Sequence, residues 1–302
     1  RKTMTMRAAT VSRFGGPEAV EITEHPLPEP GEGQVRVKVK AAAVNPVDVA
    51  MRSGVFGGQG PLGLGFDVAG VVDAAGPGAH WTVGERVFAV VTGHHKPLGT
   101  HADHIVVDAG ILAPSPASLD DVHAATLPLN ATTASQALDL LGLAPGQSLL
   151  VVGANGGVGT HAVELAHRRG LKVTGAAEAA FEDFVRARGA DHFLARGGTP
   201  EPASFDGVLD TAILGAAALA AVRDDGAYAG VWPGNEPASE RGIRIEAVDV
   251  RSDAALLAEL ARLADQGVLL ARVATTYPLT AAAEAHARLA RGGLSGRIVL
   301  VP

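Results

Sequence analysis

The sequence predicts an α/β protein in which a doubly wound parallel sheet is joined to a β-rich domain. Three observations carry this. Residues 149–170, LLVVGANGGVGTHAVELAHRRG, read as a short apolar strand, a glycine turn and a helix. From residue 147 onward, strand-like runs alternate with helical patterns. Before residue 116, many short strand-like runs are bounded by Gly, Pro or Asp.

The composition sets limits. A chain of 302 residues buries a large core, and more than one domain is expected. A formal net charge of -7 gives no basic footprint for nucleic acid. No apolar run approaches the roughly 20 residues that span a bilayer. No secretory signal is visible, which fits a cytoplasmic enzyme. Met4 and Met6 stand at the approach to the first strand, so residues 1–3 read as lying upstream of a start. The absence of cysteine excludes disulfides, thiolate nucleophiles and thiolate-bound zinc.

Residues 6–11 and 19–23 read as strands, and 25–33, rich in Pro, Glu and Gly, as loop. Residues 34–43 alternate, with Val35, Val37 and Val39 opposite Arg36, Lys38 and Lys40, the pattern of a half-buried strand. Asn45-Pro46 breaks it, and 47–53 form a helical turn. A glycine-laden loop, 54–65, precedes strands at 67–75, 86–91 and 105–108. Residues 119–141 read as helix, interrupted at Pro128. The alternating part then runs strand 149–152, its helix, strand 171–175, helix 179–188, and strands 191–194, 207–210 and 227–231. An amphipathic helix at 253–265, a strand at 272–276, a helix at 281–291 and a strand at 297–301 close the chain.

The turn Gly153, Ala154, Asn155, Gly156, Gly157, Val158 suits a pyrophosphate. It lets a phosphate approach the backbone and ends at a helix N-terminus with free N–H groups. The alternative is a glycine-rich turn without a ligand. The ends of the fourth and fifth strands add Asp210, Val231 and Trp232 to the cofactor set.

Taken in order, the motifs VNPVDVAMRSG (44–54), GFDVAGVV (65–72), VGERVFAV (83–90), LPLNATTASQAL (127–138), VVGANGGVGTHAVELA (151–166), RARGADHFL (186–194), FDGVLDTA (205–212) and LSGRIVLVP (294–302) make the chain similar to one family. It resembles the medium-chain dehydrogenase/reductase superfamily, in its zinc-free quinone oxidoreductase and enoyl reductase branch. The resemblance implies a Rossmann domain (122–246) inserted into a β-rich, GroES-like catalytic domain (1–121 and 247–302). Where zinc alcohol dehydrogenases carry a Cys and a His, this chain has Asn45-Pro46-Val47-Asp48 and Gly65-Phe66-Asp67. Without a Lewis acid, reduction of a quinone or an electron-poor C=C is easier than oxidation of an unactivated alcohol.

The implied activity is therefore an NAD(P)H-dependent reductase of quinones or α,β-unsaturated carbonyls, with no metal. Competing readings are a lyase or cyclase on the same fold and a structural protein of crystallin type. Relatives often place a Tyr where this chain has Ala50, so proton delivery needs another group. His101 is a candidate acid or a packing histidine. Asn45 is either a carbonyl donor or a turn residue. Thr133 resembles the family's threonine near the nicotinamide. Asp48 reads as a helix cap, Arg52 as a surface side chain, and loops 54–65 and 93–99 as shaping the substrate pocket. His94, His95, His101 and His104 lack the spacing of a metal site.

Cofactor choice rests on two opposed residues. Glu178, after the second strand, suits the ribose hydroxyls of NADH, whereas Arg196, after the third, suits the 2′-phosphate of NADPH. The family default leans to NADPH. The resemblance also implies a homodimer, with residues 242–245 as the pairing edge.

Overall fold

Strict alternation places Val35, Val37 and Val39 in the core and leaves Lys38 and Lys40 in solvent, which sets the central strand of the first unit. The structure, a computed structural model, describes residues 3–302; Arg1 and Lys2 lie outside the described residues, and with them most of the segment read as upstream of a start. Two units are present. One comprises the chain up to Leu129 with Arg251–Gly267 and Ala271–Pro302, and the other Asn130–Val250 with Val268–Leu270.

The first unit begins β1 (Thr5–Val11), β2 (Glu21–Pro26), β3 (Gln34–Ala43), α1 (Pro46–Ser53), β4 (Leu62–Gly63), β5 (Asp67–Ala75), β6 (Arg86–Val90), β7 (His104–Asp108), β8 (Ala113–Pro114) and α2 (Asp121–Ala124). The strand expected at 19–23 starts later, because Pro17 opens a 3-10 turn that occupies Pro17–Ala19. The pairs at β4 and β8 are too short to show a period. Pro128 begins a helix of its own, α3 (Pro128–Leu141), rather than interrupting a longer one.

The second unit holds β9 (Ser148–Val152), α4 (Gly157–Arg168), β10 (Lys172–Ala177), α5 (Glu182–Ala187), β11 (His192–Ala195), β12 (Phe205–Asp210), α6 (Ala216–Leu219), β13 (Val222–Gly230) and β14 (Arg244–Ala247). All strand pairs are parallel, in the order β11-β10-β9-β12-β13-β14. Leu150, Val152, Val208, Leu219, Val222 and Tyr228 form its core on one face. The first turn of the helix expected at 179–188 is 3-10 (Ala179–Phe181), and only the rest is α-helical.

The chain closes with α7 (Ala254–Asp265), β15 (Val273–Pro278), α8 (Ala282–Ala290) and β16 (Arg297–Val301), all in the first unit. Asp253 caps α7 through the Leu256 N–H. Sheet order is β15-β16-β3-β5-β6-β8, with β7 also on β3; β2-β1-β4 form a second sheet. The antiparallel pairing of β16 with β3 thus returns residues near 297 to the neighbourhood of Asn45.

Candidate active site

Parallel strands end on one edge of their sheet, so the residues after each strand gather there. In the second unit the turn Gly153–Val158 follows β9, Glu178 follows β10, Arg196 follows β11, Asp210 closes β12, and Val231 and Trp232 follow β13. Because β9 pairs with both β10 and β12, the turn lies where the strand order reverses. Gly153 adopts φ +79, and a Cβ there would lie 2.4 Å from Thr211 Oγ1. A Cβ on Gly159 would lie 1.9 Å from the Gly153 carbonyl oxygen. Gly156 differs: it is the N-cap of α4 in extended backbone, and an added Cβ would meet only the Gly153 oxygen, at 3.3 Å. Gly156 brings no side-chain cap to α4, and the positive dipole end of the helix fits a pyrophosphate.

The other cofactor candidates divide. Asp210 accepts the N–H groups of Ala212, Leu214 and Gly215 at 3.2, 3.1 and 2.9 Å and the Tyr228 hydroxyl at 2.6 Å, so its carboxylate builds the loop after β12. With Tyr228, Val231 and Trp232 it lines a small depression. Burial, aided by Asp210, pushes the Tyr228 phenol up. Glu178 and Arg196, which pull cofactor choice opposite ways, meet each other: Arg196 Nη1 donates to Glu178 Oε1 at 3.0 Å, and both side chains are exposed. Thr133 is buried within α3.

In the first unit, Asp48 accepts the N–H groups of Asn45 and Gly65, each at 2.8 Å, and so ties the start of α1 to the GFD segment as a cap. Asn45 is buried. Its Nδ2 donates to Asp67 Oδ2 at 2.7 Å, and its Oδ1 accepts from Arg297 Nη2. Arg297 Nη2 also lies 3.7 Å from Asp67, and its Nη1 donates to the Thr126 carbonyl at 2.9 Å. Asp67 Oδ1 accepts the Leu129 N–H at 2.7 Å. Burial pushes the Asp67 carboxyl up, opposed by Arg297 and Asn45, and burial pulls the Arg297 guanidinium down.

His101 is also buried. Its Nε2 donates to the Ala43 carbonyl at 2.9 Å and lies 4.0 Å from Asp48, which leaves Nδ1 without a partner. Arg52, expected at the surface, is 6% exposed instead. The turn after β1 folds over the end of α1, and Arg52 donates to the Gly15 carbonyl and to His286 Nδ1, each at 3.2 Å. Burial pulls the His286 imidazole down to about 4, and the neighbouring Arg52 cation acts in the same direction.

The two loops expected to shape a pocket do converge. Phe56 stacks on His94, with centroids 3.9 Å apart and planes within 10°. Lys96 Nζ sits over the Phe66 ring at 3.7 Å and donates to the carbonyls of Val91 and Gly93, at 3.1 and 2.9 Å. His95 bonds the Phe56 carbonyl and His104 pairs with Asp73, so the four histidines turn to Phe56, Ala43 and Asp73 rather than to one another. Among the described residues no group of three or more His, Asp or Glu is placed to hold a metal ion. Sequence reasoning passed over Lys96, Arg297 and His286. A lysine inside a glycine loop was the visible signal for the first; the others act through partners far along the chain.

The alcohol dehydrogenase GroES-like domain family matches residues 31–117, and the zinc-binding dehydrogenase family residues 180–300. The NADPH-dependent alkenal/one oxidoreductase of Arabidopsis thaliana chloroplasts is 30% identical over 98% of this chain and 80% of that protein. The chain belongs to the medium-chain dehydrogenase/reductase superfamily. Within this oxidoreductase superfamily it is also similar to the human quinone oxidoreductase, 37% identical over 57% of this chain. That match spans about half, 53%, of the human protein's length. The quinone oxidoreductase from Coxiella burnetii has the same fold, with a TM-score of 0.89 over 99% of this chain and 100% of that one at 24% identity. Among the described residues no helix is long and apolar enough to cross a membrane.

Proposed function

We propose that this member of the superfamily is an NAD(P)H-dependent reductase of quinones or α,β-unsaturated carbonyls. The glycine turn at the point of strand reversal, which ends at the N-terminus of α4, carries this reading, since a pyrophosphate accepts N–H groups at that position. The backbone of Gly153–Val158 would hold the pyrophosphate, with Val231, Trp232 and the loop shaped by Asp210 beside it. Bound there, the reduced nicotinamide supplies a hydride. Thr133 belongs to the same reading. Asn45 and His101 act as positioning residues, because both are buried and bonded within their own unit.

NADPH is the preferred cofactor in this reading. The exposed Glu178–Arg196 pair is worth at most about 1 kcal/mol, so a doubly charged 2′-phosphate draws the guanidinium away. The name of the Arabidopsis relative points the same way. A homodimer formed through the edge strand β14 completes the proposal, and a one-chain mass in sedimentation would refute it. The deciding test is oxidation of NADPH and of NADH by the full chain with a benzoquinone and with an enone, before and after EDTA. We expect NADPH-linked turnover that EDTA leaves unchanged. No turnover with either acceptor would reject the reading.

A further inference from the structure

Lys96 is placed unlike an ordinary surface lysine. Its ammonium lies over a buried aromatic ring, its own loop wraps it with two neutral carbonyls, and no carboxylate pairs with it among the described residues. An ammonium carries three N–H donors, and the two carbonyls use two of them. The charge that acts on it from another element is Asp48 of α1, whose oxygens already hold the Asn45 and Gly65 N–H groups; His94 and His95 flank it on its own loop. The residue is half-buried, not sealed from solvent. Next to it on the same loop, His94 stacks on Phe56.

We propose that Lys96 is the acid of this reductase: its third N–H bonds the carbonyl oxygen of a planar, conjugated substrate and delivers the proton that the reduced substrate needs. The inference rests on the reductase reading above. Hydride addition at the β-carbon of an enone forms a C–H bond and shifts the π pair toward oxygen; the substrate gains two electrons and the nicotinamide is oxidised. The Nζ–H bond then breaks as an O–H bond forms, giving the enol. The neutral amine regains its proton from water, and the enol tautomerises to the saturated ketone. A quinone is reduced to the quinol with the same proton donor.

Lys96 also suits the task chemically. Burial lowers its ammonium to about 8, against the attraction of Asp48, so it is charged at neutral pH yet gives up a proton readily. The protonated form is the active one, so turnover falls as pH rises through that value.

Two measurements test this. In the nucleotide-free protein, 4-nitrophenolate serves as an enolate mimic read by its absorbance. We expect the wild type to bind phenolate over phenol, Lys96→Met to weaken phenolate binding about tenfold, and Lys96→Arg to retain it. In steady-state reduction, Lys96→Met should lower kcat on the order of 100-fold and lose the alkaline limb, with a melting temperature near that of the wild type. Lys96→Arg keeps the charge but gives up its proton poorly, so it should bind phenolate normally and turn over slowly. Wild-type reduction with Lys96→Met unchanged in binding and turnover would overturn the assignment of Lys96 alone. Phenolate binding through Lys96 with no reduction by the wild type would instead overturn the reductase reading, and the proton-transfer step with it.

Discussion

The glycine turn after β9 and the polar cluster around Asn45 are built on opposite plans. The turn is contiguous in the chain and works through backbone: a left-handed Gly153, an extended Gly156 that starts the helix, and a Gly159 packed on the Gly153 carbonyl. The cluster works through side chains distant in sequence. Asn45 meets Asp67 22 residues on and Arg297 252 residues on, and Arg52 meets His286 across 234. The difference teaches where information resides. A backbone site is specified by local residue types, whereas a buried polar cluster exists only once both ends of the unit have come together on β3 and β16.

The comparison is tested most severely at Arg297. Arg297→Met leaves Asp67 buried without its cation, and we expect a loss of about 3–5 kcal/mol in denaturant melts of the full chain. Adding Asp67→Asn should return part of that loss. Next comes the turn. Gly159→Ala drives a Cβ into backbone that cannot rotate away and should cost about 3 kcal/mol. Gly156→Val should leave a folded protein whose NADPH affinity falls on the order of 100-fold, because the side chain fills the space a phosphate needs. If both variants fold and bind alike, the distinction between the two glycines is wrong.

Acid should strike the first unit. His286 is held near 4 in the fold but titrates near 6.5 when unfolded, so between those values the unfolded chain binds more protons and stability drops as pH falls. The loss should reach roughly 2–3 kcal/mol by pH 4, and His286→Gln should flatten the slope. The smallest effect lies at the exposed ion pair. Arg196→Ala should reduce NADPH affinity about tenfold and leave NADH affinity nearly unchanged. An NADH preference in the wild type that Arg196→Ala leaves unaltered would make Glu178 the selector.

Much of the framework was legible. β3, β5 and β16 lie where alternation and short apolar runs put them, and the capping role of Asp48 followed from its spacing after Asn45. Arg52 shows the limit. On α1 alone a long cation reads as a solvent-facing side chain, and nothing nearby in sequence announces the Gly15 carbonyl and the His286 ring that bury it. Glu178 and Arg196 show another. Each was readable as a selector, but parallel pairing of β10 with β11 brings them within hydrogen-bonding distance, so the two side chains are paired with each other.

From the order of amino acids alone came the alternating strands, the glycine turn and its helix, and the exclusion of thiolate chemistry, because each depends on residues close in sequence or on composition. Tertiary structure alone decided that Asn45 serves Asp67 and Arg297, that His101 is sealed beneath Ala43, and that the Lys96 ammonium rests on Phe66. Those are contacts between side chains on separate elements. Their directions depend on sheet register and loop closure, which no local pattern encodes.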